Sequence, residues 1–335
     1  VTDSPSFDIL GIGNAIVDIV SPADDAFLSK HDMRKGAMML IDRERAEYLS
    51  ERIPPGRMSS GGSAANTCAV AASLGARVAF SGKVAEDTLG ATFRQDIADA
   101  GVYFPTPPLV NGAPTARCII LVTPEGQRTM NTYLGACVTF SVEDLDPTLI
   151  ADSAVTYLEG YLFDPPAAQT AFHHAAQIAR AAGRRIALSL SDPFCVSRHR
   201  AAFRELVRRV DILFANEAEV CSLYECNTLE EAAEFAAAEV PLAALTQSEA
   251  GSLICRGRER VRVAAEPTEV VDTTGAGDAY AAGFLVGLSQ GLSLYQCGRL
   301  GSLVAAEVIS HYGARPLRDL SGYRKLVVES PEELA

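Results

Sequence analysis

From Ala154 onward the chain alternates short apolar runs with longer stretches of helical periodicity, and this alternation constrains its fold more than any other feature. Strands are predicted at 154–158, 185–190, 212–215, 242–246 and 252–256. Helices are predicted at 166–182, 199–208, 217–224, 229–238, 276–290, 294–309 and 321–325. Apolar strands that alternate with helices pair in parallel and are covered on both faces. The expectation is an α/β protein whose central sheet is mainly parallel.

The first part of the chain reads differently. Short strands are predicted at 7–13, 16–20, 36–41 and 77–83, with helices at 43–52, 67–74 and 87–100. Segments 103–110, 116–123 and 127–133 alternate like strands around the turn Pro124-Glu-Gly126. Neither a repeat nor a low-complexity linker divides the 335 residues, so 1–335 reads as one domain. Gly11-x-Gly13 invites a dinucleotide-binding reading, but Ile16 stands where the third glycine belongs. A net charge of −13 argues against nucleic acid as a partner. No apolar run is long enough for a membrane span, and the polar start Val1 to Asp8 lacks the basic and apolar regions of a signal peptide. Eight scattered cysteines without a C-x-x-C pair suggest reduced thiols in a cytoplasmic protein. The five histidines have no Ser or Cys nucleophile motif beside them and read as structural.

Chemistry concentrates in three stretches. In Asp272-Thr-Thr-Gly-Ala-Gly-Asp278, a glycine-rich turn enters a helix of small and apolar residues running past Leu285. The first turn of a helix leaves N–H donors free at the positive end of its dipole, an arrangement suited to phosphate oxygens. Asp278 stands among those donors. It is either an N-terminal cap or the base that a phosphoryl transfer to a hydroxyl requires. In Ser59-Ser-Gly-Gly-Ser-Ala-Ala-Asn66 two glycines again precede a small-residue helix; Asn66 either belongs to a capped helix or reads vicinal hydroxyls through its amide. Asp18 interrupts an apolar strand, facing water at an edge or meeting a ligand. The third stretch, Asn216-Glu-Ala-Glu219, follows a strand at its carboxyl end, where ligands of such sheets collect. Asn216 caps the next helix or takes part in a site.

Asp272 to Leu285 resembles the C-terminal signature of the ribokinase-like (PfkB) family of carbohydrate and nucleoside kinases. Ser60 to Gly90, from GGSAAN to GKVAEDTLG, is similar to its N-terminal signature. The resemblance implies a three-layer α/β/α sandwich with a small β-sheet lid drawn from about 14–21, 36–42 and 103–133. It implies Asp278 as catalytic base, with the N–H groups of Gly275, Ala276 and Gly277 as an anion hole. Asn14, Asp18, Gly62, Ser63 and Asn66 are implied as substrate-binding, with Arg128 reaching over the site unless it is a solvated hairpin charge. Asn216, Thr246, Gly251, Thr273, Ser302 and Gly313 are implied around ATP, and Glu219 holds Mg²⁺ through water. Ser248 replaces a glycine common in the family's nucleotide loop. A monovalent cation such as K⁺, and a monomer or homodimer, fit the same family.

For the acceptor, Gly61 to Asn66, Leu190 to Phe194 with Asp211 to Asn216, and Thr246-Gln247 are similar to the branch of the family that phosphorylates adenosine at its 5′-hydroxyl. The positions matching base contacts, Ile16, Leu40, Met130, Leu134 and Leu162, are all apolar, as a flat purine requires. Thr274 and Leu162 depart from that branch, which commonly has Asn and a stacking Phe there. A sugar kinase of the same fold remains the alternative.

Overall fold

A computed structural model describes residues 4–328. Val1–Asp3 of the polar start, and residues 329–335 of the expected domain, lie outside the described residues. The strands in chain order are β1 (Phe7–Ile12), β2 (Ile16–Pro22), β3 (Met38–Leu40), β4 (Arg57–Gly61), β5 (Val78–Ser81), β6 (Val102–Tyr103) and β7 (Ala116–Val122). They continue as β8 (Arg128–Tyr133), β9 (Ser153–Glu159), β10 (Arg185–Ser189), β11 (Ile212–Asn216), β12 (Leu242–Thr246), β13 (Ser252–Arg256) and β14 (Glu259–Val263).

Nine strands form one sheet in the order β14-β13-β12-β11-β10-β9-β1-β5-β6. It is parallel from β12 to β6 and closes with the antiparallel hairpin of β13 and β14. Its core strands are buried runs such as Ile212–Ala215 and Leu242–Leu245, the pattern of a sheet covered on both faces. One core cluster lies against helices Ser63–Ser73, Ala276–Ser289 and Leu294–Ile309. The other lies against Pro166–Ala181, Arg200–Val207 and Leu229–Glu239. Chain order reverses around β1, whose neighbours are β9 and β5, and such a switch point opens a crevice at the carboxyl ends of the strands.

The remaining five strands form the expected lid, in the order β3-β8-β7-β2-β4. Two details differ from the sequence reading. The segment 103–110 is not a lid strand: Val102 and Tyr103 pair with β5 in the large sheet. Pro105, Pro107 and Pro108 then remove the N–H donors that longer pairing would need. The lid edge is instead β4, whose Arg-Met-Ser-Ser-Gly sequence carries no apolar alternation and so gave no strand signal. Behind the lid, helices Asp25–Lys30 and Arg43–Ser50 cover Ile119 and Leu121 through Leu28, Met33 and Leu49.

Side-chain parity sorts the lid into two faces. Asp18, Cys118, Thr132 and Leu40 lie in one row across it, flanked by Val20, Ile120, Met130 and Met38. This face looks toward the large sheet.

Ser248, in the turn between β12 and β13, has φ +48°. The left-handed region costs a non-glycine residue roughly 1–2 kcal/mol. Ser248→Gly is therefore expected to raise stability by up to about 1 kcal/mol, after the extra freedom of glycine in the unfolded chain is deducted. The urea midpoint measures this, and a fall would contradict it.

Candidate functional site

The crevice is built where two helices of small residues meet. Ser63–Ser73 and Ala276–Ser289 are buried along most of their length, and alanine and glycine let their backbones approach closely. Their amino ends come together, so that Ser63 Oγ donates to Asp278 Oδ1 at 2.5 Å. The Asn66 side chain also hydrogen-bonds Asp278. Gly62, which precedes the first helix, has φ +99°, and a Cβ there would lie 2.1 Å from the Asn14 carbonyl. Only glycine fits that junction.

Gly275 begins the second helix with φ +79°. The N–H of Ala276 donates to the Thr273 carbonyl at 3.2 Å, while those of Gly275 and Gly277 have no backbone partner among the described residues. The expected three-donor cradle is thus reduced to two free donors, because the turn itself uses the middle one. A Cβ on Gly277 would meet nothing within 4 Å, so packing does not require glycine there. Its bare N–H leaves room for a ligand to approach the helix end.

Asp278 is half-buried, and desolvation pushes its carboxyl from 3.8 up to about 6, against the opposing effect of the Ser63 and Asn66 side chains. It is therefore mostly ionised at neutral pH yet basic enough to take a proton. Asp18 is likewise raised to about 6 by burial, opposed by the guanidinium groups of Arg315 and Arg128.

A second carboxylate is missing from the sequence reading. Glu159, fully buried at the end of β9, accepts from the Asn14 N–H at 3.1 Å and from Asn14 Nδ2 at 2.8 Å. Its other oxygen accepts from the Ala64 N–H at 2.7 Å. It thus pins the turn after β1 to the Gly61-Gly62 helix start, at the switch point of the sheet. Burial raises its carboxyl to about 7, opposed by those three donors. In sequence it was only the residue after the predicted strand 154–158; its signal was a charge directly following a run destined for the core.

Arg128 is not a free cation. It pairs with Asp272 at 2.8 Å, donates to Thr274 Oγ1 at 3.3 Å and lies 5.5 Å from the Tyr312 ring centre. Asp272 in turn accepts from Thr274 Oγ1 and from the N–H of Gly313. The lid hairpin is thereby tied to the glycine-rich turn and to the segment after helix Leu294–Ile309.

Of the apolar positions, Ile16, Leu40, Met130 and Leu134 are on or beside the inner lid face, with Leu40 56% exposed. Leu162 is not among them. It is 1% exposed within the core cluster under helix Pro166–Ala181, because the chain turns after Gly160 and sends it inward. Its neighbour Tyr161 is exposed instead and feels the charges of Asp192, Asp278, Glu219 and Glu159.

Asn216 and Glu219 form a reciprocal cap. The Glu219 oxygens accept from Asn216 N–H (3.0 Å) and Nδ2 (2.7 Å), and Asn216 Oδ1 accepts from the Glu219 N–H (2.9 Å). Burial raises Glu219 to about 7, and Asp192 and Asp278 add to the effect. The described residues contain no cluster of three or more His, Cys, Asp or Glu placed to cage a metal ion. Hard carboxylate oxygens with spare lone pairs suit a hydrated Mg²⁺ carried by phosphates. Thr246 and Gly251 flank the β12–β13 turn; Ser302 is buried and donates to the Ala264 carbonyl at 3.2 Å; Thr273 is exposed beside the free N–H groups.

Residues 35–319 match the pfkB family carbohydrate kinases, and the chain belongs to that family. It is a phosphotransferase acting on a hydroxyl group, with ATP as co-substrate. The chain is 53% identical to an adenosine kinase from Sinorhizobium meliloti, covering 96% of this chain and 99% of that one with a TM-score of 0.88. It is 50% identical to a probable sugar kinase from Rhizobium etli, covering 97% and 99% with a TM-score of 0.89. Adenosine kinase 1 of Arabidopsis thaliana is 26% identical over 92% of this chain and 96% of its own length.

Replacing Glu159 by Gln keeps the volume but turns an amide N–H toward donors that now face a carboxylate oxygen. The expected cost is about 1–3 kcal/mol of stability, with a higher Michaelis constant for the acceptor and an unchanged one for ATP. Thermal unfolding and initial rates check both; a variant equal to the parent in both would remove Glu159 from this role.

Proposed function

We propose that this enzyme transfers the γ-phosphoryl group of Mg-ATP to the 5′-hydroxyl of adenosine, giving AMP and ADP. The observation that carries the reading is Asp278. It is a half-buried carboxylate held by Ser63, with the Asn66 amide beside it and two free helix N–H groups next to it.

In this reading the acceptor's 5′-oxygen loses its proton to Asp278 as it attacks the γ-phosphorus, and the bond from that phosphorus to the β–γ bridging oxygen breaks. The free N–H groups of Gly275 and Gly277 receive the oxygens of the moving phosphoryl group. Such donors cost no reorganisation as charge develops. Arg128 contributes a fixed positive charge at the same turn. Glu219 and Asp192 would receive the waters of Mg²⁺, which neutralises phosphate charge when bound. Thr246, Gly251, Thr273, Ser302 and Gly313 are read as the wall around ATP. The reading includes a cytoplasmic role in purine salvage, for a protein whose eight cysteines are free thiols.

Adenosine is preferred over a sugar on the strength of the inner lid face. Covering one face of a purine with Ile16, Leu40 and Met130 removes on the order of 100 Å² of apolar surface from water, worth roughly 2.5 kcal/mol. That separates a nucleoside from free ribose by about fiftyfold. The sugar-kinase reading is kept because of the likeness to the Rhizobium etli protein.

A panel of nucleosides and sugars at limiting concentration, assayed by ADP release, decides between the two readings. Adenosine should lead by at least about tenfold over ribose and fructose, and equal rates would favour the sugar. Leu40→Asp, at an exposed strand, should raise the Michaelis constant for adenosine without changing that for ATP or the melting temperature.

Asp278→Asn should lower kcat by about 10²–10⁴, and turnover within twofold of the parent would refute the base. Because the carboxyl titrates near 6, it is ionised above that pH and protonated below it. The parent's kcat/KM should therefore fall as pH drops below about 6, the loss approaching about tenfold per unit.

A further inference from the structure

Arg315 lies just after the Gly313-Ala314 turn, outside every motif that the sequence reading singled out. Its guanidinium nevertheless enters the acceptor side of the crevice. Nε donates to Asn66 Oδ1 at 3.2 Å and Nη1 to Asp96 Oδ2 at 3.1 Å. Asp96 is itself held by the N–H of Ser60 at 2.8 Å, so the anchor belongs to the rigid start of the Gly61-Gly62 turn. Nη2 is buried and has no hydrogen-bond partner among the described residues. Asp18 lies within electrostatic range of the same guanidinium.

Two chemical arguments follow from these contacts. Arginine has no acceptor and a carboxylate has no donor, so an amide between them has only one orientation. Asn66 must present its oxygen to Arg315 and its NH₂ to Asp278, which makes Arg315 a positioning residue for the amide that touches the base. In addition, Nε–H and one Nη2–H project from the same edge of the planar guanidinium. With Nε on Asn66, the unpartnered Nη2 donor leaves the guanidinium by the Asn66 edge, and the Asp18 carboxylate packs on Gly61 in the turn that leads to Asn66. A buried donor left unmatched is costly and calls for an oxygen.

We propose that Arg315 is a further acceptor-binding residue, and that its Nη2 donates to an oxygen of the acceptor's vicinal diol, between Asp18 and Asn66. Asp18 accepts from the hydroxyls and Arg315 donates to them, so a diol satisfies both charges at once. Two hydroxyls in cis are needed for this, as in a ribofuranosyl group. The inference rests on the proposed kinase reaction but not on the base attached to the ribose.

The test compares adenosine, 2′-deoxyadenosine and 3′-deoxyadenosine with the parent, Arg315→Met and Arg315→Lys. Lys keeps the charge opposite Asp96 and Asp18, so that variant retains the fold if Met does not. In the parent, removing the contacted hydroxyl should lower kcat/KM by roughly ten- to a hundredfold. In both variants the rate with adenosine should fall toward that deoxy level, with little further loss for the deoxynucleoside that lacks the contacted hydroxyl. The Michaelis constant for ATP should not move. An equal fractional loss for all three nucleosides would reduce Arg315 to a structural role and overturn the proposal, as would an unchanged discrimination. If the parent ignores adenosine but phosphorylates ribose, the nucleoside reading fails by itself. The same comparison with ribose and 2-deoxyribose then tests Arg315.

Discussion

The hydrogen bond from Ser63 to Asp278 can form because two helices of alanine, glycine and other small residues pack almost backbone to backbone. Larger side chains on either helix would separate their amino ends by several ångströms, and the carboxylate would lose its donor. The same packing places two sets of helix N–H groups at one point of the crevice. A buried carboxylate is disfavoured by desolvation, and here it is held in place by donors rather than by a cation. Its raised basicity is a consequence of that burial, and it is the property that a proton acceptor at neutral pH needs.

Around this junction the chain assembles a small number of polar ties, each joining elements that are distant in sequence. Glu159 links β9 to the turn after β1 and to helix Ser63–Ser73. Asp272 links the glycine-rich turn to the lid through Arg128 and to the later segment through Gly313. Arg315 links that segment to Asn66 and Asp96. Removing one partner of any tie would leave another buried polar group unmatched, so geometry at the base is transmitted through the whole set. The lid itself is joined to the site by polar contacts at its hairpin, and the charge of Asp18 faces those of Arg315 and Arg128. Its apolar face near Leu40 and Met38 stays open to solvent. An open apolar face beside a fixed polar floor is a surface that a ligand with one flat apolar side completes.

Much of this was legible in the amino-acid order. Strand–helix alternation after Ala154 specified a parallel sheet, since apolar runs of strand length separated by amphipathic helices have few other ways to bury both faces. The two glycine turns specified helix starts with free donors, because glycine and small residues act locally on the backbone. Asp18, Asn66 and Asp278 stood out as polar groups in apolar company. The lid was readable in β7 and β8, which alternate, and not in β4, which is paired through its backbone alone.

Tertiary structure alone decided the rest. Leu162 leaves its expected place in the crevice and Tyr161 is exposed instead, because a turn after Gly160 determines which of two neighbours faces inward, and no local pattern encodes that rotation. The cap formed by Asn216 and Glu219 was visible as spacing, but its engagement of both Glu219 oxygens needed coordinates. Glu159 and Arg315 gave no motif of their own, and Asp272 opened one without showing its partners. Each acts through a partner far along the chain, and long-range pairing depends on how strands are ordered in the sheet. Sequence by itself determined the helix ends with free N–H donors and the carboxylate among them, since those follow from local backbone chemistry. Only the folded chain determined which charges meet, because that depends on distances between segments that the sequence never brings together.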